Sequence, residues 1–148
     1  LGSISNWVIY LLKINQFGDT LWTRTIGSGF SRGRAIVESD SGSCVLTGDF
    51  DNRQAFAIKV NKDGNIVWQN YYGSDYVQLN AITKVTGRSY LLCGRENFDN
   101  GIVLLIDSIG TLKWKKIYTA PVNLDFQSSC ELNENNGFLL TGWNYTNL

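Results

Sequence analysis

Three glycine–tryptophan pairs at one even pitch constrain this chain more than anything else in it. Gly18, Gly64 and Gly110 stand 46 residues apart, and Trp22, Trp68 and Trp114 each follow four residues behind. The segments that carry them are KINQFGDTLW at 13–22, KVNKDGNIVW at 59–68 and LIDSIGTLKW at 105–114. A fixed period of this size means a repeat architecture, in which one supersecondary unit recurs and buries its apolar face against the next copy.

Each copy encodes a hairpin. In the central one, apolar and β-branched residues run up to Asn61, Lys62, Asp63 and Gly64 interrupt them, and β-type residues resume at Asn65–Trp68. A three-residue loop of this kind closes as a type I turn ending in a left-handed residue, which glycine adopts without steric cost. The alternating oxygen donors Asn61, Asp63 and Asn65 also suggest a calcium loop. The other copies break that pattern with Gln16, Phe17, Ser108 and Ile109, and the distal bidentate acid such a loop requires is missing.

The rest of each copy is read as strands too. In the first, Trp7–Asn15 is too apolar for a solvated strand and too β-branched for a helix, so it is expected to be buried. Thr20–Ile26 follows, then a loose connection at 27–33, then strands Arg34–Ser39 and Cys44–Phe50. The second copy repeats this order with Ala55–Asn61, Asn65–Tyr72, Leu79–Val85 and Ser89–Arg95. The third has Ile102–Asp107, Thr111–Tyr118, Phe126–Leu132 and Phe138–Trp143. Gly48, Gly94 and Gly142 close each fourth strand. The last spacing is two residues longer, and both extra residues are assigned to the connection around Pro121.

Composition removes several function classes. Thirteen basic and thirteen acidic side chains cancel without a run of either sign, which gives nucleic acid or an anionic membrane no electrostatic hold. The chain has no 18-residue apolar run to cross a membrane as a helix. Histidine is absent, and with it serine–histidine or cysteine–histidine catalysis within one chain. Methionine is absent as well, which implies a processed or trimmed chain. Cys44, Cys93 and Cys130 share no spacing suited to zinc or a disulfide framework, and are read as buried free thiols, with Cys130 aligned to Ile36 and Ile82.

Four short strands per 46 to 48 residues, with glycine punctuation and one tryptophan per repeat, is the pattern of a β-propeller blade. The fold class expected is therefore all-β: a propeller domain over 1–148 with blade repeats at about 6–52, 53–100 and 101–148, and chain ends lying mid-blade. KVNKDGNIVW with SYLLCG and SCVLTG resembles the tryptophan-bearing, quinoprotein-like propeller repeats of secreted bacterial proteins. That resemblance implies a secreted or cell-surface protein. The quinoprotein motif itself places an aspartate where this chain has Ile14, Val60 and Ile106, so no quinone or other cofactor is expected. The tryptophans are expected to wedge between neighbouring blades, each indole N–H finding a backbone acceptor.

The innermost strands are expected to be Arg34–Ser39, Leu79–Val85 and Phe126–Leu132, where small residues Ala35, Ala81 and Ser129 recur. The longer irregular loops then gather on one face. They carry the candidate ligand-binding residues Phe30, Arg32, Asp51, Arg53, Asp75, Tyr76, Arg95, Glu96, Phe98 and Asp99, with Asp125 beside them. Exposed aromatics among carboxylates and amides suit sugar or peptide recognition, and loops over a rigid scaffold are where function usually lives. The function expected is a non-catalytic binding or adhesion scaffold for carbohydrate or protein ligands, with no catalytic and no metal-binding residues. The alternatives are a hydrolase using paired carboxylates drawn from Asp49, Asp51, Glu96 and Asp99, and a segment of a longer propeller without separate activity. Three blades are too few for a ring, so the expected partner is a second copy of the chain, giving a homodimer with a six-bladed ring.

Overall fold

The computed structural model describes residues 7–51, 54–73, 76–121, 123–133 and 137–145. Among them the chain forms twelve strands and no helix: β1 (Ile9–Ile14), β2 (Thr20–Ile26), β3 (Ser31–Glu38), β4 (Cys44–Phe50), β5 (Gln54–Val60), β6 (Ile66–Tyr72), β7 (Val77–Val85), β8 (Ser89–Glu96), β9 (Asn100–Ile106), β10 (Leu112–Tyr118), β11 (Asn123–Leu132) and β12 (Gly137–Tyr145). Two four-stranded antiparallel sheets, β3-β4-β5-β6 and β7-β8-β9-β10, are flanked by two hairpins, β1-β2 and β11-β12. The fold is all-β and repeat-like. The described strands form four separate sheets that do not close into a ring or barrel.

The repeated turn explains the period. Gly18, Gly64 and Gly110 have φ of 89°, 81° and 83°, and each donates its N–H to the carbonyl three residues earlier, on Asn15, Asn61 and Asp107. The side chains of those same three residues cap the turn. Asn61 Oδ1 accepts from the Asp63 and Asn65 N–H groups, and Asn15 and Asp107 do the same for Phe17 and Asp19 and for Ile109 and Thr111. The oxygen that might have pointed at a cation therefore serves the backbone.

The second and third turns are also docking points, each for the tryptophan of the preceding copy. The Trp22 indole N–H donates to the Lys62 carbonyl at 3.2 Å, and that of Trp68 to the Ser108 carbonyl at 3.1 Å. The ring lies over the turn glycine so closely that a methyl group on Gly64 would stand 2.8 Å from Arg24 and 3.0 Å from Trp22. The second clasp is reinforced by Asn70 and Tyr72, which donate to the Ile109 and Gly110 carbonyls. Trp22 and Trp68 thus each reach from their own hairpin to the turn of the next unit, with the indole N–H on a backbone acceptor.

Three apolar clusters lie between successive sheets. Ile9 and Ile26 meet Leu46, Phe56 and Ile58; Val45, Ala55 and Ala57 meet Leu79, Tyr90 and Leu92; Ala81, Leu91 and Val103 meet Phe126, Phe138 and Leu140. β7 lies between β3 and β11 and packs against both, so the three strands expected to be innermost are neighbours.

Several expectations need correction. The segment 27–33 is not all connection, because Ser31, Arg32 and Gly33 already pair with Phe50, Asp49 and Gly48. Residues 123–125 and Glu96 likewise belong to β11 and β8. Trp7–Asn15 is not buried throughout: Ile9 is, while Tyr10, Leu12 and Ile14 are exposed, since among the described residues β2 alone pairs with β1. The two extra residues of the third copy are split. Pairing of Ser128 with Thr141, as Ala81 pairs with Cys93 and Ala35 with Thr47, places one before β11 and the other between Leu132 and Gly137. Ser128, not Ser129, is thus the counterpart of Ala35 and Ala81. Cys130 corresponds to Val37 and Thr83, on a face that no further sheet covers, and is exposed; Cys44 is half-buried and Cys93 fully buried.

Candidate functional site

One irregularity recurs in β3, β7 and β11 at the same place. Pairing skips a residue between Gly33 and Ala35, between Leu79 and Ala81, and between Phe126 and Ser128. The extra residues, Arg34, Asn80 and Gln127, are β-bulges, which locally twist a strand and re-aim its side chain. Each bulge presses the backbone of its own strand onto the facing one. A methyl group on Gly48, Gly94 or Gly142 would overlap the carbonyl oxygen of Arg32, Gln78 or Asp125 respectively. The three strand-closing glycines are therefore required by close backbone approach, and all of them have ordinary negative-φ strand geometry.

The bulges share a cavity of about 540 Å³. Its wall is two rows of equivalent positions, Arg32, Gln78 and Asp125 two residues ahead of each bulge, and the bulge residues Arg34, Asn80 and Gln127 themselves. Arg95, Asp51, Tyr76 and Phe98 complete it. The repeat scaffold places the same backbone three times and the sequence fills it with different polar groups, so the cavity is chemically asymmetric.

The polar groups are held in fixed orientation. Arg34 Nε pairs with Asp49, a wholly buried carboxylate whose second oxygen has no hydrogen-bond partner among the described residues. Arg95 Nε donates to Gln78 Oε1 at 2.9 Å and lies 3.9 Å from Asp125 Oδ2. Asn80 Nδ2 donates to Asp125 Oδ1 and to the Phe126 carbonyl. Burial pushes the Asp125 carboxyl above its ordinary pKa, and the opposing pull of Arg95 and the Asn80 hydrogen bond does not fully offset it. At the rim, Tyr76 and Phe98 form a tilted pair with ring centroids 4.8 Å apart, and the Arg95 guanidinium lies 5.6 Å from the Phe98 ring.

The rim is also where backbone strain collects. Asp51, Tyr76, Asn97 and Phe98 have positive φ between 50° and 67°. Hydrogen bonds from Asp51 N–H to the Phe30 carbonyl and from Asn97 N–H to the Tyr76 carbonyl hold these segments down. Left-handed geometry outside glycine is uncommon, and such residues cluster where the fold must present a side chain in a set direction.

Of the ten residues expected at the site, the cavity gathers Arg32, Asp51, Tyr76, Arg95 and Phe98. Glu96 does not line it; its carboxylate is paired with Lys115 at 2.5 Å. Phe30 lies against Trp7 through a β-bridge, and Asp99 offers its carbonyl to Leu124 N–H. Arg53 and Asp75 lie outside the described residues. Sequence reasoning passed over Arg34, Gln78, Asn80 and Gln127. The signal available was the polar pair two residues apart at the head of β3, β7 and β11, facing a glycine that recurs after 46 and then 48 residues. No group of three or more His, Cys, Asp or Glu side chains among the described residues is placed to hold a metal ion. No family model matches the chain, and no curated protein matches it significantly, so the site is read from its own geometry.

Proposed function

We propose that this chain contributes three blades of a β-propeller resembling the tryptophan-bearing, quinoprotein-like repeats, and that it works as a non-catalytic binding scaffold. What supports the propeller is the stacking of successive antiparallel units with β3, β7 and β11 side by side, and a tryptophan clasp repeated at two of their junctions. The ligand proposed is a carbohydrate bearing an acidic group. The observation that carries this reading is the convergence of the three bulges: Arg34, Asn80 and Gln127 enter one cavity beside the Tyr76–Phe98 pair. Amides and guanidinium groups in fixed orientation suit hydroxyls and a carboxylate, and an aromatic face at the rim suits the apolar side of a sugar ring.

The paired-carboxylate alternative draws no comparable support. Of its four acids, Asp49 is paired with Arg34 and Glu96 with Lys115, so two are already committed to a cation. A glycan array carrying neutral and uronate-bearing oligosaccharides, followed by calorimetry on the strongest hit, tests the proposal. Asn80→Ala and Phe98→Ala are each expected to weaken binding about tenfold, the size of one good directed contact at roughly 1.4 kcal/mol. Binding unaffected by both variants would refute the site, and binding only to acidic peptides would move the ligand class to protein.

A further inference from the structure

The two flanking hairpins are halves of the same object. In the complete sheets, β4 pairs with β5 and β8 with β9 in one register: Leu46 opposite Ile58 and Leu92 opposite Leu104. Among the described strands, β12 stands where β4 and β8 stand but has no outer neighbour, and β1 stands where β5 and β9 stand but has no inner one. The apolar residues at those edges record the deficit. Phe56, Ile58 and Val60 are at most 3% exposed and Ile102, Leu104 and Ile106 at most 1%, whereas their counterparts Tyr10, Leu12 and Ile14 are 62%, 52% and 52% exposed. On the other hairpin Leu139 is 60% exposed, while its counterparts Val45 and Leu91 are fully buried.

The tryptophan clasp is left incomplete at the same two places. Trp22 and Trp68 each reach the turn of the following unit, and Trp114 has no such turn ahead of it among the described residues. Among the described residues, the Gly18 turn is the one turn of the three with no indole seated on it: a methyl group on Gly18 would meet nothing within 4 Å, where Gly64 and Gly110 are each covered by a ring. β11-β12 and Trp114 thus lack a hairpin with a capped glycine turn, and β1-β2 is such a hairpin.

We propose that a second copy of this chain fills the gap, β1-β2 of each copy completing the sheet begun by β11-β12 of the other. The pairing is antiparallel with the register of the complete sheets, which sets Leu140 opposite Leu12 of the partner copy, Thr141 opposite Leu11 and Phe138 opposite Ile14. The Trp114 indole then reaches the carbonyl at Gln16 of the partner copy, the position that corresponds to Lys62 and Ser108. Each chain contributes two whole sheets and two halves. Two chains thereby make six sheets, within the range of about four to eight that a closed ring takes, and three chains would exceed it. The arrangement is two-fold and gives every sheet four strands, so neither β12 nor β1 is left as an unpaired edge. It rests on the propeller reading and on these junctions but not on the ligand cavity, so it and the ligand reading fail separately.

Light scattering gives the mass of the assembly, and cysteine pairing gives its register. Chains carrying Leu12→Cys and chains carrying Leu140→Cys, both on a Cys130→Ser background, are mixed and oxidised, as are Leu11→Cys with Thr141→Cys. Adjacent antiparallel pairs alternate between close and wide spacing, so one of the two mixtures has disulfide geometry. The expected result is a native mass of two chains, a covalent dimer in at least one of these mixtures, and none from Leu12→Cys with Leu139→Cys, whose side chains face opposite sides. A single-chain mass across the micromolar range overturns the proposal. An assembly of another size, or a dimer that cross-links only out of register, overturns it too.

Discussion

Replacing Trp68 by alanine removes a junction between the two complete sheets, and the structure sets the size of the effect. The side chain is mostly covered, packing on the cluster that includes Ala57, Leu104 and Ile106 and lying over Gly110. Burying a tryptophan removes roughly 150 to 250 Å² from water. At about 25 cal/mol per Å² that is about 4 to 6 kcal/mol, of which alanine and relaxation of the site recover part. The Ser108 carbonyl also loses its indole donor, a loss of about 1 kcal/mol. The net expectation is about 3 to 5 kcal/mol, in line with other large-to-small aromatic changes in cores. Trp68→Phe separates the two contributions, keeping most of the ring and losing the N–H, and is expected to cost about 1 to 2 kcal/mol. Urea denaturation followed by circular dichroism measures both without relying on the fluorophore that has been removed. A loss below about 1 kcal/mol for Trp68→Ala would mean that the clasp does not hold the sheets together.

Gly94→Ala is expected to destabilise the fold by more than about 2 kcal/mol, because the new methyl meets the Gln78 backbone carbonyl; a wild-type midpoint in urea would refute the bulge geometry. Gly64→Ala should cost more than Gly87→Ala: both have φ near 80°, worth roughly 1 to 2 kcal/mol to any Cβ-bearing residue, but only Gly64 is also crowded by Trp22 and Arg24, and equal midpoints would contradict this. Cys93, fully buried and with its thiol pushed up to about 11 by burial, should react with iodoacetamide at pH 8 only after denaturation, and rapid native labelling at this position would contradict the packing. Asp125 has its carboxyl raised by burial, so the folded chain holds its proton to higher pH than the unfolded one. Its contribution to stability therefore declines as pH rises from about 4, the unfolded value, through the folded pKa, and Asp125→Asn should remove that slope from a pH series of urea midpoints.

The 46-residue period makes the scaffold legible from the residues alone. Gly64 and Trp68 announce a turn and a clasp because both duties fall on one residue type that nothing else replaces: a left-handed glycine and a large ring with a single N–H donor. The strand order followed from the same alignment. What the sequence obscured was the bulge, since Arg34, Asn80 and Gln127 break the alternation of their strands by one residue without any residue type that marks a break. The loop reading consequently collected Phe30, Glu96 and Asp99 by position along the chain, although Glu96 ends a strand with its carboxylate held by Lys115. Arg95, Tyr76 and Phe98 do line the cavity, because strand ends flanking loops converge at a rim. Cys130 was misjudged for a related reason: one inserted residue after Leu132 shifted the alignment and exchanged the two faces of β11.

The central claim is that three bulges bring Arg34, Asn80 and Gln127 into one ligand cavity. Titrating the isotopically labelled chain with the strongest oligosaccharide from the array, and following backbone and side-chain amide resonances by NMR, tests it directly. The account predicts that the side-chain amides of Asn80, Gln78 and Gln127 move together with the backbone of Tyr76 and Phe98, while β6 and β10 stay still. Shifts confined to the outer strands, or to Phe30 and Asp99 with the three amides unmoved, would contradict it.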